Sequence, residues 1–273
     1  MFVFLLFLTN LTPHTMPVDY HMHTTLSVGK HTHLQMVRAA SQQGLQEVGI
    51  SDHVSLKPVG WAMPLESIPV MIASLERVKQ EAGGLLSVRF GLEMDFIPGL
   101  ELEIAHMIDR LKPDYVIGSV HFIGSWNFDS DTAPYPTANI NSTYQRYFEL
   151  VHDSARSGLF DIIGHCDLVK KFGYRPTTDL EALYTETARV LKEADVVVEL
   201  NTSGLGKPCQ EFYPGPSLLS KLAQYRVPIT LGSDAHAAEH VGQYFIQAIN
   251  ELKALGYSEV VRFEGRGRET IRI

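Results

Sequence analysis

Histidines and carboxylates recur at the ends of apolar, strand-like runs in this chain of 273 residues. The first instance is Val18-Asp19-Tyr20-His21-Met22-His23, where two histidines stand one residue apart. Successive side chains of a strand face opposite ways, so His21 and His23 share a face and can grip one metal ion. An HxH pair alone equally fits incidental polar contacts. Repetition gives it weight, because Asp52 with His53, Glu93, His121, His165, and Asp234 with His236 each close another such run. Mixed imidazole and carboxylate donors suit zinc, manganese or iron better than calcium or magnesium. At roughly three to four protein ligands per ion, this many groups imply two or three divalent ions, with a carboxylate such as Glu93 shared between two. Clustered ions of this kind activate water for in-line attack on phosphorus and offset charge on the non-bridging oxygens.

Such a cluster needs elements that deliver every ligand to one place. Apolar strand patterns at Glu47–Ser51, Leu86–Leu92, Tyr115–Val120, Phe160–Gly164, Val196–Leu200 and Pro228–Gly232 alternate with helical spacing. The helices are expected at about 34–43, up to Ala82, up to Leu111, 142–157, from a Thr178 cap to Glu193, up to Tyr225, and 241–255. Strand and helix alternating about seven times predicts an α/β fold of parallel strands, an irregular (β/α)7 barrel with the metal site at the C-terminal ends of its strands. A doubly wound sheet would not gather residues from six strands at one switch point. Val260–Phe263 reads as a final strand.

Composition narrows the function classes. A hydrophobic content of 45% with 20% charged residues describes a globular chain, and the net charge of −8 argues against a broad nucleic-acid surface. A small-molecule partner fits better, with no membrane. Two cysteines, Cys166 and Cys209, provide no disulfide framework and suit a reducing cytoplasm. Residues 1–16 read as a disordered or upstream-start extension. The apolar run Phe2–Leu8 lacks both the basic flank of a secretory signal and the length of a membrane span, and Met16 offers an alternative start. Residues 17–273 read as a single barrel domain.

Several residues have bland readings beside functional ones. His106, His152 and His240 fall in helices and read as packing or surface histidines. Lys170 and Lys171 equally fit a solvated pair, whereas Arg175 suits bidentate capture of phosphate. The stretch from Phe122 to Asn141 is long enough for a functional lid and carries Trp126, Asp129 and Asp131.

With these motifs assembled, the sequence resembles the polymerase-and-histidinol-phosphatase (PHP) superfamily, most closely its stand-alone phosphatase branch. The resemblance rests on VDYHMHT, GISDH, GLEMDFIPG, DYVIGSVHFI, DIIGHCDLVKKFGYRP, VVELNTSGL and ITLGSDAH, and covers roughly residues 18–242. It implies a seven-stranded barrel with three metal ions and hydrolysis of L-histidinol phosphate in histidine biosynthesis. It places His21, His23, Glu93 and Asp234 on a first ion, and Glu93, His121 and His165 on a second. His53 and His236 fall on the third, whose remaining ligand comes from the loop holding His31 and His33; Lys30-His31 resembles the family's loop better, so His31 is expected. Related phosphatases often carry a basic or larger residue at the position of Gly206, leaving Arg175 and Lys207 to hold phosphate here. For this substrate Asp95 or Asp129 would meet the ammonium, and Trp61, Trp126 or Phe122 would stack on the imidazole. Asp52, beside His53, is the expected proton donor or supporting carboxylate. The rival readings are a PHP phosphoesterase for nucleotides or nucleic-acid ends, a metal-dependent amidohydrolase, and a non-catalytic metal-binding protein.

Overall fold

Short runs rich in valine and isoleucine form parallel strands, and the amphipathic segments between them form the helices that carry the chain back. The structure is a computed structural model and describes residues 16–82, 84 and 86–273. In chain order the elements are β1 (Met16–Asp19), α1 (His33–Gln42), β2 (Leu45–Ile50), β3 (His53–Val54), α2 (Ile68–Ala82), β4 (Ser87–Asp95), α3 (Glu101–Leu111), β5 (Tyr115–Ser119), β6 (Phe122–Ile123), β7 (Trp126–Asn127), α4 (Ile140–Arg156), β8 (Ile162–Ile163), α5 (Glu181–Glu193), β9 (Val197–Asn201), α6 (Pro216–Gln224), β10 (Ile229–Gly232), α7 (Phe245–Ala254), β11 (Glu259–Glu264) and β12 (Gly267–Arg272).

Strands β1, β2, β4, β5, β8, β9 and β10 pair in that order, every pair parallel. At the far ends of this path the Tyr20 amide donates to the Leu231 carbonyl at 3.1 Å, and Met22 bridges Ala235. The first and last strands therefore nearly close the barrel, which is the seven-stranded α/β architecture the sequence predicts. Parallel strands with returning helices leave all strand C-termini at one end, the mouth. The short β3 continues pairing there, setting His53 opposite Glu93.

At the other end, the foot, the side chain of Tyr115 fills space that two glycines leave. A Cβ at Gly49 or Gly91 would lie 1.8 or 2.1 Å from Tyr115. Its hydroxyl donates to the Tyr20 carbonyl at 2.6 Å, while the Tyr20 hydroxyl donates to buried Glu47 and accepts from the Phe263 amide.

The local readings differ in a few places. Glu93 lies within a nine-residue strand rather than beyond its end, because β4 runs on to Asp95 and pairs with both β3 and β5. Thr178 does not cap α5; its hydroxyl donates to Asn141, and Asp179 accepts from the Glu181 amide instead. The stretch 122–141 contains the β6–β7 hairpin and the first turn of α4. The C-terminal strand pairs with β12 in an antiparallel hairpin apart from the barrel path. Residues 1–15 of the expected extension lie outside the described residues, whereas Met16 belongs to β1. Among the described residues no helix is long and apolar enough to cross a membrane.

Candidate metal centre

Every ligand residue expected on the first two ions converges at the mouth, around Glu93. Its two oxygens face different groups. Oε2 lies 3.0 Å from His21 Nε2 and 3.4 Å from His23 Nε2, and Asp234 Oδ1 is 3.3 Å from that same His23 nitrogen. Oε1 lies 3.0 Å from His165 Nε2 and 3.5 Å from His121 Nε2. His53 Nδ1 approaches Oε2 at 2.7 Å, its ring stacked 4.1 Å from His23. His21 with His23 and Asp234, His21 with Glu93 and His165, and His23 with His53 and His236 each bring their ligand atoms within 4.8 Å of one another.

These residues fit a divalent metal centre on one direct observation. His21 Nε2, both ring nitrogens of His23, His53 Nδ1 and Glu93 Oε2 are buried and make no hydrogen bond. Buried polar atoms are normally paired, and leaving so many convergent donors unpaired is costly unless cations complete them. His165 (φ +21°) and Asp234 (φ +51°) are two of eight non-glycine residues at positive φ among the described residues.

Electrostatics divide the ligands. Burial would raise the Glu93 carboxyl, but the facing charges of His53 and His21 hold it well below its usual range. Asp234 is likewise held well below its range against burial, first by His21. Burial, His53 and His236 together push His23 well below the ordinary histidine value, so its ring stays neutral. His21 is opposite: despite burial, Glu199, Glu93 and Asp234 push it well above. In each case the partner charge is a ligand or a residue bonded to one.

Behind the ligands stand residues that fix their orientation. Asp95 accepts from His121 Nδ1 at 2.7 Å, so it sits behind that ring and does not face the cavity as a partner for an ammonium. Asp52 is fully buried and accepts from the Thr24 amide (2.7 Å), the Thr24 hydroxyl (2.7 Å) and the Ser27 hydroxyl (2.5 Å). It ties down the loop after HxH, and with both oxygens engaged there it is not poised as a proton donor. Glu199, which the sequence reading passed over, bonds His21 Nδ1 at 2.6 Å. A glutamate inside the apolar run Val196–Leu200 was the available signal.

A cavity of about 370 Å³ opens over the ligands, floored by His53, His121, His165 and Asp234. Lys171, Lys207 and Gly206 line it, with Asp129 held to Lys171 at 2.6 Å. Arg175 does not line it; its guanidinium is engaged by Glu211 at 2.9 Å, outside the cavity. The basic pair divides likewise: Lys170 is buried against Asp167, Glu211 and the Phe212 carbonyl, and Lys171 reaches the site. Trp126 donates to the Asp131 carbonyl and packs on Tyr135, away from the cavity, while Trp61 lies edge-on to His53 and His121. His31 joins none of the ligand groups; its Nδ1 accepts from the Ala238 amide at 3.1 Å. His33 is buried with Nδ1 on Ser74. Of the helical histidines, His152 packs against Thr187, and His240, on a one-turn helix, lines the cavity after all.

A parallel barrel with a histidine and carboxylate cluster at its mouth defines a candidate metal-dependent hydrolase. Residues 19–203 match the PHP domain, and the chain belongs to that family. The probable histidinol-phosphatase of Deinococcus radiodurans is 39% identical over 244 residues, covering 87% of this chain and 93% of the relative. The histidinol-phosphatase of Bacillus subtilis is 30% identical over 82% of this chain and 95% of its own length. Among solved structures, the histidinol phosphate phosphatase of Lactococcus lactis, complexed with zinc, L-histidinol and phosphate, superposes with a TM-score of 0.84 over 93% of this chain and 99% of that one. At 24% identity that likeness is one of fold.

Proposed function

We propose that this chain is a metal-dependent phosphomonoesterase that hydrolyses L-histidinol phosphate to L-histidinol and phosphate in histidine biosynthesis. The observation that carries the reading is Glu93, whose two oxygens face two separate ligand groups at the floor of a cavity holding two lysines. The names of the relatives at 39% and 30% identity support the substrate.

In this reading His21, His23, Glu93 and Asp234 would hold one divalent ion, Glu93, His121 and His165 a second, and His53 with His236 a third. Zinc, manganese and iron all suit these donors. When bound, the ions supply activated water and offset the charge of the reacting phosphoryl group. The chain's own residues do the rest. Lys171 and Lys207 hold non-bridging oxygens, and Asp129 fixes the Lys171 ammonium toward the cavity. Asp129 also borders a smaller cavity of about 170 Å³ with Trp61, His121 and Asn127. Its carboxylate meets the substrate ammonium there, and Trp61, near Phe122, gives the imidazole an aromatic wall. The same reading places the chain in a reducing cytoplasm, supported by Cys166 and Cys209, both buried and unpaired.

Phosphate release from L-histidinol phosphate tests the proposal, measured beside nucleotides and other phosphomonoesters on protein reconstituted with zinc, manganese or iron. A dominant kcat/KM for L-histidinol phosphate supports it. A preference for nucleotides or nucleic-acid ends would contradict it and favour another PHP phosphoesterase.

A further inference from the structure

We infer that Glu199 is a positioning residue whose single carboxylate orients two metal ligands at once, His21 through its ring and His165 through its backbone. The inference rests on the metal-centre reading above and concerns why that centre needs a carboxylate here.

Glu199 is 1% exposed and lies between β8 and β10 in the barrel. Oε1 is 2.6 Å from His21 Nδ1; Oε2 accepts from the His165 amide at 2.8 Å and from Asn201 Nδ2 at 3.2 Å. The barrel is cut to admit this group, since a Cβ at Gly232 would lie 1.9 Å from Oε1. His21 presents Nε2 to Glu93 and Asp234, so its proton belongs on Nδ1, and all three neighbours of Glu199 are then donors. The Asn201 orientation is set independently, because its Oδ1 accepts from the amide and hydroxyl of Ser203.

Only an acceptor at both ends satisfies this arrangement. A glutamine would fail in either orientation. With its amide nitrogen toward His21, Nδ1 must accept, the proton moves to Nε2, and the ligand atom is lost. With its amide nitrogen toward His165, donors face donors in a buried space, beside a residue already held at φ +21°. Asp95 provides the internal contrast. One of its oxygens accepts from His121 Nδ1 and the other has no partner, so an asparagine there can turn its oxygen to His121 and keep the tautomer.

The experiment compares zinc-loaded wild type, Glu199→Gln and Asp95→Asn by zinc retained per chain during dialysis against a chelator, with melting of the metal-free forms as a check of folding. Glu199→Gln is expected to bind zinc about 10- to 100-fold more weakly than wild type. Asp95→Asn is expected to stay near wild type. Equal retention by Glu199→Gln and wild type, or equal losses in both variants, would overturn the inference. Should Glu199→Gln not fold, nitrogen-15 histidine NMR of zinc-loaded wild type decides. Zinc on His21 Nε2 with a slowly exchanging proton on Nδ1 supports the role, and zinc on Nδ1 overturns it. A wild type that retains no zinc, manganese or iron removes the metal-centre reading and this inference with it, and is recognised because the failure precedes any substitution.

Discussion

The two ends of the barrel treat buried polar groups differently, the foot leaving Arg89 Nε without a partner and the mouth a convergent set of ligand atoms. At the foot, Tyr115 fills the space left by Gly49 and Gly91, and Glu47 is met by the Tyr20 hydroxyl and by Arg89 at 2.9 Å. At the mouth, equally buried nitrogens of His21, His23 and His53 and the Oε2 oxygen of Glu93 point at one another without a hydrogen-bond partner. Positive-φ backbone does not follow this division, since Lys112, Asp195 and Arg226 adopt it just before β5, β9 and β10 at the foot, as His165 and Asp234 do at the mouth. The foot is built for stability, and the mouth stores unsatisfied ligands that cations complete.

Removing the bridge should have the largest effect. Glu93→Gln removes the shared negative charge and one of the two bridging oxygens, and a loss of several kcal/mol in transition-state stabilisation corresponds to a fall of about 10³-fold or more in kcat/KM. Metal per chain should fall with it, while the metal-free variant still melts cooperatively; full metal content would break the contrast between the two ends. At the foot the pattern should reverse. Tyr115→Ala is expected to cost about 3–5 kcal/mol in denaturant unfolding through the cavity it leaves, with metal per folded chain unchanged.

Two smaller effects sharpen the picture of the mouth. Lys171→Ala should lower kcat/KM by about 10- to 100-fold, the cost of one charge-assisted phosphate contact, whereas Arg175→Ala, outside the cavity, should change it little. Steady-state kinetics on both variants would expose a reversed order. Metal binding should also depend on pH. Against the opposing effect of burial, carboxylates raise His21 (Glu199 foremost), His121 (Asp95) and His165 (Glu93) above the ordinary histidine value. Raised above the ordinary histidine value, these rings compete with the metal for protons to higher pH than free histidine does, so affinity should rise with pH, by about tenfold per pH unit for each proton displaced. Calorimetry in buffers of different ionisation enthalpy checks this; proton uptake on binding would give the wrong sign.

Much of this was legible in the sequence, for a physical reason. A histidine or carboxylate closing a run of valines and isoleucines is chemically conspicuous, so His21, His23, Glu93, His121, His165 and Asp234 could be read before any fold was known. The period of strand and helix then fixed the end at which they meet. Roles that depend on a distant partner were not legible. Asp95 and Asp52 looked available for substrate or proton transfer, yet each is engaged, one by a ring 26 residues away and the other by the loop after HxH. Arg175 and Lys171 differ by four positions, and only the path of the chain around Glu211 shows which one reaches the cavity. His31 could be assigned to the third ion only by loop resemblance, and the fold seats its Nδ1 on the Ala238 amide while His53 and His236 approach His23.

Anomalous scattering from crystals of the zinc-loaded protein tests the central claim most directly. Three peaks are expected: one among His21, His23, Asp234 and Glu93 Oε2, a second among His121, His165 and Glu93 Oε1 with the carboxylate between them, and a third beside His53 and His236. A single peak that leaves one Glu93 oxygen uncoordinated, or zinc bound away from the mouth, would contradict the claim.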